Sequence, residues 1–170
     1  ARVHPQVPTL VAGHTALGGV TKYYEGRRED YRRTPDVSID ISQVAELLKP
    51  VQSLNTAEGL VMQVGAAASL ASLIKALEDH PTSDDSLCSV LAAHLKRIAN
   101  THVRSVGTWA GNLATARAHP KFVSDLAVAL AAVGAWLTTS ELDCKTGACD
   151  TRQVSVEQYV STPMSKDGLE

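Results

Sequence analysis

The chain has 170 residues, enough for one domain with a sizeable core and too few for two ordinary domains. Its 44% apolar and 20% charged residues mark a globular protein, and only 4% aromatics leave the core to Ala, Val and Leu. Sixteen basic against eighteen acidic residues argue against a nucleic-acid or membrane-surface protein, and no apolar run nears the roughly 20 residues that cross a bilayer. The chain starts at Ala1 without a leader, which reads as a processed product or an excised piece.

Two prolines in residues 1–8 suggest an arriving strand or loop. From Thr9, the run TLVAGHTALGG is a short apolar strand that breaks into a turn with Gly13, Gly18 and Gly19, where backbone amides can face an anion. It lacks the Lys of a P-loop and the spacing of a dinucleotide fingerprint. The charged stretch Lys22 to Arg33 reads as a solvated excursion, and Val37 to Ile41 alternates as a strand. Ser42 is expected to cap a short helix, SQVAELLKP, that Pro50 ends. Gly59 to Gly65 is a further strand. A helix, SLASLIKALEDH, that begins near Ser69 and stops before Pro81 carries Leu70, Leu73, Ile74 and Leu77 at helical spacing. A longer one, capped by Ser83 or Asp84 and reaching Asn100, places Leu87, Val90, Leu91, His94, Leu95 and Ile98 on one face. His94 then reads as a core-edge histidine rather than a ligand.

The stretch VRSVGTWAGNLATARAHPKFVSDL, Val103 to Leu126, is the most distinctive. Arg104, Ser105, Gly107, Thr108, Gly111, Asn112, Thr115 and the pair Ser124-Asp125 supply small residues, hydroxyls, an amide and a carboxylate. Such a loop can ring the phosphates and ribose of a nucleotide. GxxxGN matches no general phosphate motif, so a glycine-rich turn feeding a buried helix stays open. Ser124-Asp125 starts another helix, Trp136 to Thr139 reads as a strand, CKTGACDT as a turn, Gln153 to Val156 as a strand and VEQYV as one helical turn. Cys144 and Cys149 can close a small disulfide or, like Cys88, remain thiols of a reducing, cytoplasmic compartment. The three cysteines are too few for an iron–sulfur cluster and lack the nearby histidines of a zinc site. No repeat and no linker divides the chain, and the order of elements is mixed α+β.

Taken together, LVAGHTALG, VSIDIS, GLVMQVGAAASL and VRSVGTWAGNL…SDL resemble the FAD-binding domain of the molybdenum hydroxylases, the family of xanthine dehydrogenase and aldehyde oxidase. The likeness runs over about residues 8–160, and HPKFVSD is most similar to the animal aldehyde oxidases. It implies a flavin domain of the vanillyl-alcohol-oxidase-like (PCMH) type, with mixed sheets flanked by helices. Residues 1–170 would be a single FAD-binding domain without the first strand-helix and the C-terminal flavoprotein subdomain. The resemblance implies that Leu10, Val11, Ala12, Gly13, His14, Thr15, Ala16 and Leu17 wrap the diphosphate. Thr108, Gly111, Asn112 and Thr115 would hold diphosphate, ribityl and isoalloxazine, Ser124 and Asp125 the adenosine ribose, and Ile98 would cover the flavin. His14 stands where the family usually has Asn, and Ile98 where xanthine dehydrogenases have an aromatic.

By the same resemblance, the chain is the module that passes electrons from two [2Fe–2S] clusters to FAD and on to O2 or NAD. The clusters and molybdopterin would be bound by other domains of a homodimeric parent enzyme. No catalytic acid–base residue and no metal ligand is expected here, and the isolated chain would not act on substrate. The alternative is a non-catalytic remnant or interaction domain that keeps the fold and no longer binds FAD. An unrelated hydride-transfer enzyme is disfavoured, because no GxGxxG is present.

Overall fold

Apolar residues cluster in short runs separated by Gly, Pro and Ser, so many short elements form rather than a few long ones. The computed structural model describes residues 9–16, 37–49, 51–56, 59–80, 87–142 and 146–162. The readings made on residues 1–8, Lys22 to Arg33, Leu17, Ser83, Asp84 and Cys144 lie outside these. β1 (Thr9–Val11) pairs in parallel with β2 (Ser38–Asp40), Leu10 opposite Ile39. β3 (Gln52–Thr56) and β4 (Gly59–Gln63) form an antiparallel hairpin, as do β5 (Trp136–Leu142) and β6 (Cys149–Ser155). Among the described residues these are three separate two-stranded sheets. The helices are α1 (Leu70–Glu78), α2 (Leu87–Leu95), α3 (Thr101–Val106), α4 (Trp109–Ala118), α5 (Asp125–Ala132) and α6 (Val156–Ser161). The class is mixed α+β, as expected.

α1 forms where its periodicity demands. Ser69 caps it, its Oγ accepting from the Ser72 N–H at 3.1 Å, and Leu70, Leu73, Ile74 and Leu77 are all buried. They pack with Ala92 and Leu95 of α2 and with Leu126 of α5 in one core cluster. A second cluster joins Leu113 of α4, Ala127 of α5, Leu137 of β5 and Val156 of α6. Trp109 and Leu130 touch both clusters, and the Trp109 indole donates to the Gly65 carbonyl at 2.7 Å. Each wholly buried Leu contributes about 1.5–3 kcal/mol through the area it removes from water. These few contacts therefore fix the helices that frame the site. Ser155 caps α6 through a capping box with Gln158, so the one-turn reading of VEQYV holds.

Of CKTGACDT, read as a turn, Cys149 to Thr151 belong to β6, and Val156 opens α6 rather than closing a strand. Four larger expectations need correction. Residues 42–49 form hydrogen-bonded turns, not a helix, and Ser42 donates its N–H to Asp40 Oδ1 at 2.8 Å instead of capping. A segment that short before Pro50 does not repay helix nucleation. In α2 the buried residues are Ala92 and Leu95, while Leu87 and Val90 are exposed and so is His94. LCSVLAAHL is apolar nearly all round, so its periodicity does not choose a face, and the small Ala92 lets α2 approach α1 closely. The helix also stops at Leu95, short of Asn100. Finally, Val103 to Leu126 is largely helical, with α3 and α4 broken only at Gly107-Thr108. β3 had no counterpart among the expected elements.

Candidate functional site

Beyond β1 the chain turns sharply. Gly13 has φ +71° and the next residue, His14, has φ +54°. His, like Asn, is among the few residues found repeatedly in the left-handed region, so a histidine can occupy this turn. The turn is pressed against α3: a Cβ on Gly13 would lie 1.9 Å from the Val106 carbonyl oxygen, and one on Gly107 2.8 Å from the Val103 carbonyl oxygen and 3.2 Å from Thr15 Oγ1. Both glycines are therefore required by close approach. Among the described residues, the backbone N–H groups of Ala12, Gly13, His14, Thr15 and Ala16 make no hydrogen bond. Five successive donors in a turn form an electropositive rim.

Across the cavity lies α4. Thr108 is its N-cap, its Oγ1 accepting from the Gly111 N–H at 3.1 Å, which leaves the hydroxyl hydrogen to point elsewhere. Thr108, Gly111, Asn112 and Thr115 follow the i, i+3, i+4, i+7 spacing, so what reads as a loop motif is one face of a helix. The helix points its positive N-terminal end toward the same space. Asn112 is oriented from behind: Ser124 Oγ donates to its Oδ1 at 2.5 Å and also caps α5 by accepting from the Ala127 N–H at 3.0 Å. The Asn112 Nδ2 donors are thereby left for the cavity. Thr115 donates its hydroxyl to the Gly111 carbonyl at 2.8 Å, so it is available as an acceptor.

The cavity measures about 390 Å³, within the span of about 300–1,000 Å³ usual for small-molecule sites. Of the expected residues, Val11, Ala12, His14, Thr15, Ala16, Ile98, Thr108, Gly111, Asn112, Thr115 and Asp125 line it. Ser124 is buried behind Asn112, Gly13 sets the approach to α3, and Leu10 lies exposed on β1, so none of these three lines the cavity. Leu17 is outside the described residues. Gly107, named in the same stretch, lines it too, and Leu70, Ala99, Val103, Phe122 and Val123 line the cavity without having been singled out for it. Phe122, the chain's only phenylalanine, was the available signal.

Among the described residues, Asp125, exposed in the first turn of α5, is the only carboxylate on the wall, and no Lys or Arg lines it. Asp40 lies at the end of β2. The Ser42 backbone N–H, with the Ser42 hydroxyl and the nearby His14, holds its carboxyl below the ordinary value. The arrangement can stabilise an anion through N–H dipoles and a hydroxyl, and can accept from hydroxyl groups at Asp125. Among the described residues no group of three or more His, Cys, Asp or Glu could hold a metal ion, and no helix is long and apolar enough to cross a membrane. Cys88 and Cys149 are free thiols.

A family model described as the FAD binding domain in molybdopterin dehydrogenase matches residues 4–168. The chain belongs to this family. FAD is accordingly the cofactor of this FAD-binding domain. Among its relatives is an indole-3-acetaldehyde oxidase of Arabidopsis thaliana, 32% identical over 75% of this chain and 9% of the relative. An abscisic-aldehyde oxidase of the same plant is 33% identical over 74% of the chain and 8% of the relative. A probable aldehyde oxidase 1 of Oryza sativa subsp. japonica is 30% identical over 79% and 10%. The chain thus spans about a tenth of the length of these relatives. All three are plant enzymes, and the nearness to animal aldehyde oxidases is not shown.

Proposed function

We propose that this chain is the flavin module of an aldehyde-oxidase-like molybdoenzyme, of the vanillyl-alcohol-oxidase-like type, passing electrons from iron–sulfur clusters to O2 or NAD. The observation that carries the reading is the row of unpartnered N–H groups at residues 12–16 facing the polar stripe of α4 across one cavity. A diphosphate carries two negative charges, and this chemistry stabilises them without a cation. The turn at residues 12–16 and the Thr108 hydroxyl would hold the diphosphate. Asn112, aimed by Ser124, would donate to ribityl or isoalloxazine acceptors. Asp125 would accept from the adenosine ribose, with Ser124 acting through Asn112 rather than on the ribose directly. Bound there, the isoalloxazine supplies the redox chemistry, and the protein supplies position and electrostatics. Ile98 and Val103 keep the wall apolar and exclude water.

The test is FAD binding by the purified chain, read as flavin absorbance near about 450 nm and as a thermal shift. Asn112→Asp keeps an acceptor for Ser124 while removing the amide donors and adding a negative charge. It should lose FAD and keep its far-UV circular dichroism. A folded chain without absorbance or thermal shift would establish the remnant reading instead.

A further inference from the structure

Arg104 is the basic residue that opens the Val103–Leu126 stretch, yet it does not line the cavity. Its guanidinium folds back on the turn between α2 and α3. Nη1 donates to the carbonyls of Ile98 and Ala99, both at 2.9 Å, and Nη2 to Thr101 Oγ1 at 3.3 Å. Ala99, in the middle of that turn, has φ +53°. A residue with a Cβ is disfavoured there, and such a conformation persists where its surroundings over-determine it. The planar fork of Arg suits this, since it spans neighbouring acceptors that a Lys point charge cannot hold together. Ile98 and Ala99 are both cavity wall, and so is Val103, one residue before the clamp.

We propose that Arg104 is a positioning residue for the bound flavin nucleotide. It holds Ala99 in the left-handed turn and thereby sets the Ile98–Ala99 wall against which the ligand rests, without touching the ligand. The inference rests on the FAD reading above. Without the clamp, Ala99 relaxes toward negative φ, and the wall must be rebuilt each time FAD binds. Glycine at 99 removes that penalty, because it adopts positive φ as readily as negative.

The experiment is FAD titration of the 170-residue chain by flavin fluorescence, in the parent, Arg104→Met, Ala99→Gly and the double variant. Arg104→Met should weaken FAD binding by about 5- to 30-fold, the cost of a single left-handed residue expressed as affinity. Ala99→Gly should bind as the parent does, and in the Arg104→Met background it should recover most of the loss. Titrated well below the melting temperature of every variant, affinity reports the wall itself, whereas a merely structural role would move the melting temperature and leave the affinity of the folded chain unchanged. Unchanged affinity in Arg104→Met, or a double variant no better than Arg104→Met, overturns the proposal. Should Arg104→Met fail to fold, Arg104→Lys with and without Ala99→Gly is judged by the same criterion. A parent chain that binds no FAD overturns the FAD reading itself, which separates the two failures.

Discussion

Substituting Gly13 by Ala tests the approach of the two walls most directly. Two costs are added. The left-handed φ of +71° disfavours any Cβ, by about 1–2 kcal/mol. The new Cβ would also lie 1.9 Å from the Val106 oxygen and 2.8 Å from its carbonyl carbon. Both are backbone atoms, so no rotamer change relieves the overlap. Forced overpacking costs roughly another 1–3 kcal/mol. Gly134 is a built-in control, with φ +69° and nothing within 4 Å of where its methyl would stand. Gly134→Ala should therefore show the conformational cost alone. Thermal denaturation of both variants should place Gly13→Ala below Gly134→Ala by roughly 2–12 °C, taking about 2–4 °C per kcal/mol for a chain of this size. FAD titration should show weakened binding in Gly13→Ala only, since residues 12–16 must move off α3. Equal melting temperatures, with FAD affinity intact in both, would refute the close approach and the donor rim built on it.

Ser124→Ala removes both the α5 cap and the donor to Asn112; it should cost about 2 kcal/mol in thermal melts and weaken FAD binding, with Ser124→Thr largely restoring both. Leu126→Ala, at a side chain with 0% exposure in the core shared by α1, α2 and α5, should destabilise by about 2–5 kcal/mol in denaturant titrations. Asp40 gives a pH signature. Its carboxyl titrates below the ordinary 3.8, so the stability it contributes is full above that value and is lost as pH falls through the lowered one. The melting-temperature gap between parent and Asp40→Asn should hold above pH 3.8 and close below it.

Much of this frame is legible because single residues dictate it. Ser69 and Ser124 act as caps where a hydroxyl precedes an apolar run, and Leu70, Leu73, Ile74 and Leu77 face inward as their spacing requires. The cavity wall is legible by composition and not by shape. Thr108, Gly111, Asn112 and Thr115 read as ligand-facing, but two glycines in five residues disguise a helix as a loop. Gly107 ends α3, whereas Gly111 lies inside α4, where Thr108 caps the first turn and Leu113 and Ala116 anchor the opposite face in the core. Tertiary burial overrides the local preference of glycine. Arg104 reads as part of a phosphate loop, while its acceptors are carbonyls that no sequence pattern reveals. The face of α2 stays hidden for a different reason, since apolar side chains occupy nearly its whole circumference.

The stripe on α4 also acts as a measuring rod. From Thr108 to Thr115 the helix advances two turns, about 10 Å at 1.5 Å per residue. Contacts spread over that distance sample a ligand along its length rather than at one end. A molecule that covers only one end of the stripe forfeits the contacts at the other, and joining two halves makes the second contact intramolecular. FAD should thus bind more tightly than riboflavin phosphate and AMP supplied together as separate pieces. Selection by such a wall would be selection by extent: on the FAD reading, the helix would distinguish a dinucleotide from its halves through where its contacts stop.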